Sequence, residues 1–111
     1  MKIAITGGAG FIGRACADEI HRAGHEVVLL GRRKQSVFAP DGSQYAFAEC
    51  DVNNLDDLTR CLAGVDAVVH CVGIILEPKG VTFESVVAEG TKKLVAACQN
   101  AGVKQIVYIS A

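Results

Sequence analysis

The sequence predicts an α/β fold: a doubly wound parallel sheet of about five strands, ordered 3-2-1-4-5, with helices on both faces. Three observations predict it. Short apolar runs alternate with helical patterns along the whole chain, and such alternation builds parallel strands with right-handed crossovers. The runs are continuous, as in strands covered on both faces. The first of them opens directly into a cluster of glycines followed by a helix.

Residues 2–6 are the first strand. Residues 11–23 are a helix with an apolar stripe of Ile12, Cys16 and Ile20 at i, i+4 and i+8, and Gly24 ends it. Val27 to Leu30 is the second strand. Residues 31–43 are a loop holding Pro40 and the Asp41-Gly42 turn signal. Tyr45 to Glu49 is a weaker third strand. Asn54 caps the next helix, with Asp57 at the third position in a capping-box pattern. Leu55, Leu58 and Leu62 form its inner stripe and Gly64 closes it. Asp66 to Val72 is the fourth strand, and residues 73–81 are a loop with Pro78 and Gly80. Thr82 caps a long helix reaching about Asn100, with Phe83, Val86, Val87, Gly90, Leu94 and Cys98 facing inward. Gly102 ends it, and Val103 to Ile109 is the fifth strand.

Gly8, Gly10 and Gly13 give G-x-G-x-x-G, and Gly7, Gly10 and Gly13 give G-x-x-G-x-x-G. Strand, glycine turn and helix together are the context of a dinucleotide cradle. Without a Cβ, the backbone turns tightly and its N–H groups approach a pyrophosphate. The helix N-terminus adds unpaired N–H groups and a positive dipole end. The ligand is expected at the C-terminal strand ends, at the switch point between strands one and four, near residues 7–13 and 71–73.

The 111 residues suit one domain, half hydrophobic, with a net charge of −1. This composition argues against disorder and against a basic nucleic-acid surface. The only basic cluster is Arg32 to Lys34, without an aromatic platform for single-stranded nucleic acid. The apolar runs are too short to span a membrane. Cys16, Cys50, Cys61, Cys71 and Cys98 lack any C-x-x-C pair and share no ligand-like spacing with His21, His25 and His70. No metal site is expected, and a reducing, cytoplasmic compartment is. With no signal peptide apparent before the glycine turn, the same location is expected.

Several motifs together resemble the short-chain dehydrogenase/reductase superfamily, of the extended and atypical, epimerase/dehydratase-like type. They are Thr6 to Gly13, Cys50-Asp51-Val52, Val68-Val69-His70, Glu89-Gly90-Thr91 and Val107 to Ser110. The stretch His70 to Glu77, with Thr82-Phe83-Glu84 and Ser110-Ala111, is similar to the branch of the nucleotide-binding accessory subunit of respiratory complex I. The resemblance covers nearly all of this chain but only the N-terminal portion of a typical member. Residues 1–111 are therefore expected to be the N-terminal part of an NAD(P)-binding Rossmann domain, truncated before its catalytic part.

The resemblance implies cofactor-binding roles for Gly7, Gly8, Gly10, Phe11, Ile12 and Gly13. It implies that Asp51 accepts from the adenine amino group while Val52 contributes backbone; the plainer reading is that Asp51 only turns the chain. Cys71, Val72 and Gly73 would line the ribose and nicotinamide side through backbone. His70 reads as a core histidine and Cys71 as a packing thiol. Ile74, Ile75 and Leu76 either line a substrate pocket or pack under the sheet.

Cofactor choice rests on the end of the second strand, where an acidic residue would accept from the ribose 2′-OH of NAD. Here Gly31 is followed by Arg32, Arg33 and Lys34, with no adjacent carboxylate. Guanidinium groups grip a 2′-phosphate, so NADP(H) is expected over NAD(H); otherwise the cluster is a solvated loop.

The family's acid/base pair, Tyr-x-x-x-Lys, has no counterpart in the chain. Tyr45 is followed at i+4 by Glu49, and Tyr108 has no i+4 residue. No catalytic residue is therefore expected here. Many extended members carry Asn where this chain has Val87. The parent reads as an NAD(P)-dependent oxidoreductase or epimerase/dehydratase, or alternatively as a non-catalytic accessory subunit holding NADP(H). The fifth strand would be an open edge, which invites a homodimer.

Overall fold

In the computed structural model the described residues are 1–8, 10–51, 53–71 and 83–109, the backbone alone being described over 83–90. Among them the chain forms β1 (Lys2–Thr6), α1 (Phe11–Arg22), β2 (Glu26–Gly31), β3 (Ala46–Glu49), α2 (Leu55–Cys61), β4 (Ala67–His70), α3 (Phe83–Ala101) and β5 (Gln105–Tyr108). The strands make one sheet ordered β3-β2-β1-β4-β5, as the sequence predicts. Every pairing in it is parallel.

The pleat sorts the strand residues into two cores. Ile3, Ile5, Val27, Leu29 and Val69 pack with Ala17 of α1. Ala4, Val28, Leu30 and Val68 pack with Leu58, Leu62, Leu94, Ala97 and Cys98 on the α2 and α3 side. Helices therefore cover both faces. Ile5, Leu29 and Val68 are wholly buried because they sit in central strands.

The α1 stripe differs from expectation. Ile12 is 43% exposed, whereas Gly13 and Ala17 are buried. The helix touches the sheet at its small residues, so the buried face runs through Gly13, Cys16, Ala17 and Ile20. Leu55 is likewise exposed, while Leu58 and Leu62 are buried. Of the predicted inner face of α3, Leu94 and Cys98 are buried; Phe83, Val86, Val87 and Gly90 have side chains outside the described residues.

Several strand boundaries are shorter than predicted. Tyr45 precedes β3 and donates its O–H to Asp18 Oδ1 at 2.6 Å. Asp66 precedes β4 and accepts the Lys2 N–H at 2.8 Å, tying the start of β4 to β1. Val103, Lys104 and Ile109 flank β5. Within the predicted loop 31–43 and just beyond it, Phe38 and Gln44 form one antiparallel bridge, closed by a turn in which Gly42 N–H donates to Ala39 C=O at 2.9 Å. α1 and α3 stop beside Gly24 and Gly102, as read from sequence, whereas α2 stops at Cys61 and Gly64 follows in the turn beyond it, all three glycines having positive φ. The predicted cap Thr82 lies outside the described residues. β5 lies at the sheet edge, with Ile106, Val107 and Tyr108 exposed.

Candidate dinucleotide site

The turn after β1 is built around crowding that only glycine permits. Gly7 has φ +66° and accepts the Gly10 N–H at 3.0 Å. A Cβ on Gly13 would lie 2.2 Å from the Gly7 oxygen and 2.7 Å from Gly8 Cα. A Cβ on Gly8 would lie 2.6 Å from Leu29 Cδ2. The helix thus begins in contact with the turn, and the turn lies directly on β2.

Gly10 is the N-cap of α1, and no side chain caps it. Arg14 N–H closes the first turn on Gly10 C=O at 2.9 Å. The N–H groups that open a helix have no partner within it. The residues that open α1, Gly10, Phe11 and Ile12, are exposed, and the dipole at a helix start favours an anion. The missing Cβ at Gly13 and Gly8 is what lets α1 start against the turn and the turn rest on β2. Phe11 and Ile12 open the helix with exposed side chains.

At the switch point β1 meets β4 through a buried polar pair. Thr6 Oγ1 lies 2.7 Å from His70 Nδ1 and accepts the Cys71 N–H at 3.2 Å. The hydroxyl hydrogen is then free to donate to Nδ1, which suits a neutral imidazole. Burial pushes the His70 pKa below its usual value. His70 is therefore a core histidine, also in tilted ring contact with Tyr108. Burial, with Cys16 beside it, raises the Cys71 thiol to about 11, so Cys71 is a packing thiol whose backbone sits at the switch point. Val52, Val72, Gly73, Ile74, Ile75, Leu76 and Ser110 lie outside the described residues.

The buried histidine sets a stability window. A folded-state pKa below the unfolded value of about 6.5 means that the unfolded chain binds more protons there. Stability is expected in full above about pH 6.5, and to fall by up to about 1.4 kcal/mol per pH unit below it. His70→Gln should flatten that slope in urea titrations between about pH 6.5 and 5. Asp41 and Asp57, both held below the usual carboxylate range, titrate in a separate, more acid window.

Beyond β2 and β3 an open pocket of about 650 Å³ is lined by Arg32, Glu49, Asp51, Asn53, Asp57 and Arg60. Arg33, exposed on the same loop, does not line it. The expectation of no carboxylate near the basic loop is corrected. Parallel register places Glu49 beside Gly31, and Glu49 Oε1 accepts the Lys34 N–H at 3.0 Å. Chain distance hid this neighbour; the strand pairing creates it.

Asp51 does turn the chain. Its Oδ1 accepts the Asn53 N–H at 2.9 Å, and its carbonyl accepts the Asn54 N–H at 3.0 Å. Asn54 caps α2 as predicted, its Oδ1 accepting the Asp57 N–H at 3.0 Å. The reciprocal half of the capping box is replaced: Asp57 Oδ2 accepts the Asp51 N–H at 2.8 Å. Glu49, Asp57 and Arg60 were not expected as site residues. The cap at Asn54 was the signal available for the last two, since it sets which α2 residues face back towards the strand ends.

The opposite end of the sheet holds a second polar cluster. His21 Nε2 lies 2.8 Å from Asp41 Oδ2 and 3.3 Å from Ser43 Oγ. A Ser-His-Asp relay uses both ring nitrogens; here one nitrogen serves both partners. The cluster is a clasp fastening the loop to α1. Among the described residues no group of three or more His, Cys, Asp or Glu is placed to hold a metal ion, and no helix is long and apolar enough to cross a membrane.

Comparison with known proteins gives consistent relatives. The profile of the NAD dependent epimerase/dehydratase family matches residues 3–111. A UDP-glucose 4-epimerase of Klebsiella pneumoniae is 32% identical over 99% of this chain and 88% of its own length. The crystal structure of UDP-N-acetylglucosamine 4-epimerase from Bacillus cereus superposes with a TM-score of 0.83 at 30% identity, over all of this chain and 38% of that one. MoeE5 in complex with UDP-glucuronic acid and NAD superposes at 0.76 and 30% identity, over all of this chain and 37% of that one. The chain thus spans well under half the length of both solved structures.

Proposed function

Because this chain belongs to the NAD dependent epimerase/dehydratase family, we propose that its 111 residues form the NAD(P)-binding portion of an epimerase/dehydratase-like oxidoreductase. The observation that carries the reading is the glycine turn after β1, against which α1 can start only because Gly13 lacks a Cβ. In it, Gly10, Phe11, Ile12 and Gly13 hold the pyrophosphate. Arg32 and Asp51 receive the adenosine half in the pocket beyond β2 and β3, and the role read for Val52 falls outside the described residues. Cys71 ends the described backbone at the switch point, and the roles read for Val72 and Gly73 on the nicotinamide side fall outside the described residues. The bound cofactor would supply hydride chemistry. Tyr45 has Glu49 and not a lysine at i+4, so it is given no acid/base role.

NADP(H) is the favoured cofactor. Arg32 lines the pocket, where its guanidinium suits a 2′-phosphate, and Arg33 and Lys34 follow it in sequence. NAD(H) is the second reading, favoured by Glu49, whose carboxylate lines the same pocket, and by the NAD bound in MoeE5. Titration with NADPH and NADH decides between them. Under the first reading Arg32→Ala weakens NADPH by about tenfold or more and NADH by much less. Equal binding of both, unchanged by the substitution, overturns it. The motif over residues 70–77 supports a different whole-protein role, an accessory subunit that keeps the cofactor as a structural element. The exposed β5 edge supports pairing with a second copy.

A further inference from the structure

The pocket beyond β3 contains a closed ring of hydrogen bonds that its proposed ligand does not require. Asp51 donates its N–H to Asp57 Oδ2. Asp57 donates its own N–H to Asn54 Oδ1, and Asn54 donates its N–H to the Asp51 carbonyl. Inside the ring, Asn53 N–H holds Asp51 Oδ1. Three of the four polar atoms of Asp51 are therefore committed. Its Oδ2 has no hydrogen-bond partner among the described residues, and Asp51 lines the pocket.

Asp57 does more than close this ring. Its Oδ1 takes two guanidinium hydrogens from Arg60, through Nε at 3.2 Å and through Nη2. The side chain of Asp57 is 29% exposed, against 68% for Arg60. The carboxylate is thus gripped on both oxygens, from β3's end and from its own helix. The Asp51 N–H and Arg60 both hold its pKa below the usual carboxylate range, as expected for an anion that accepts from each side.

We propose that Asp57 is the positioning residue for base recognition: by holding the Asp51 N–H and Arg60 together, it sets Asp51 so that Oδ2 accepts from an exocyclic 6-amino group. The inference rests on reading this pocket as the adenosine subsite. A carboxylate oxygen is an acceptor only. It rewards a purine with an amino group at position 6 and repels one with an oxo group there. The preference for adenine over hypoxanthine is therefore a property of the ring, and not of Asp51 alone.

The test compares NADPH with its hypoxanthine analogue on the full 111-residue chain. The wild-type chain is expected to prefer the adenine nucleotide by about tenfold, the discrimination of one charged hydrogen bond. Asp57→Ala should bring that ratio towards one, chiefly by weakening NADPH. Asp57→Asn keeps an acceptor for the Asp51 N–H and should retain most of the preference. If Asp57→Ala does not fold, Asp57→Ser serves, since its hydroxyl is too short to reach Asp51. An unchanged ratio in either truncation, or an equal loss for both nucleotides, overturns the proposal and leaves Asp57 a structural residue. A wild-type ratio of one, with NADPH still lost in Arg32→Ala, overturns it while the dinucleotide reading stands. Binding of neither nucleotide by the wild-type chain sinks both.

Discussion

Gly13→Ala is expected to abolish dinucleotide binding and to destabilise the chain by about 3 kcal/mol, as severe overpacking does. The added carbon would stand 2.2 Å from the Gly7 oxygen, 2.7 Å from Gly8 Cα and 2.9 Å from the Gly7 carbonyl carbon. All three are backbone atoms, so no rotamer change relieves them. Either α1 withdraws from the sheet or the turn opens. Each deforms the surface that a pyrophosphate would occupy. The melting temperature should fall by about 10 °C or more, and NADPH should produce no saturable signal at millimolar concentration. Gly24→Ala is the contrast. It sits at φ +94° with nothing near its added carbon, so it adds strain without crowding, costs about 1 kcal/mol, and leaves binding intact. A Gly13→Ala chain that melts and binds like wild type would remove the basis for the cradle.

Leu29→Ala is expected to cost about 3 kcal/mol, and its interaction with Gly8 says where that energy resides. Leu29 is fully buried in the middle of β2, and its Cδ2 is the atom that an added carbon on Gly8 would meet, at 2.6 Å. Gly8 has no left-handed backbone, so this contact is what forbids a side chain there. Gly8→Ala alone should cost about 2 kcal/mol. Together the two should cost less than their sum by about 1 kcal/mol, because the cavity left by leucine receives the new methyl. Urea unfolding of the four chains measures this. Strict additivity would mean that the turn does not rest on β2.

Where the sequence succeeded, the signal was local. The glycine run after an apolar strand marked the turn, Gly24 and Gly102 marked the ends of α1 and α3, and Asn54 marked the start of α2. Where it failed, the cause was spatial. Counting hydropathy gave Ile12 to the buried face of α1, yet a helix packs closest where it has least side chain, at Gly13 and Ala17. Glu49 reads as a weak strand's last residue, and only pairing with β2 brings it beside the basic loop. Asp57 reads as half of a capping box. Its carboxylate turns instead to the Asp51 N–H, a partner that exists only once β3 and α2 are folded together. Asp51 showed a strand-end position that suits a ligand, but not the ring that holds it.

Gly31 closes the end of β2 in a way that bears on how such chains change over evolutionary time. A side chain there would begin 2.9 Å from the tip of the Phe47 ring, which is itself packed against the α1-side core. An acidic residue cannot arrive at this position by a single substitution without displacing the ring. Phe47 is half-buried and meets this position with the far end of its ring, so the ring has to turn aside, at some loss of core packing. An aromatic residue on the neighbouring strand thus shares in the cost of placing any side chain at the end of β2.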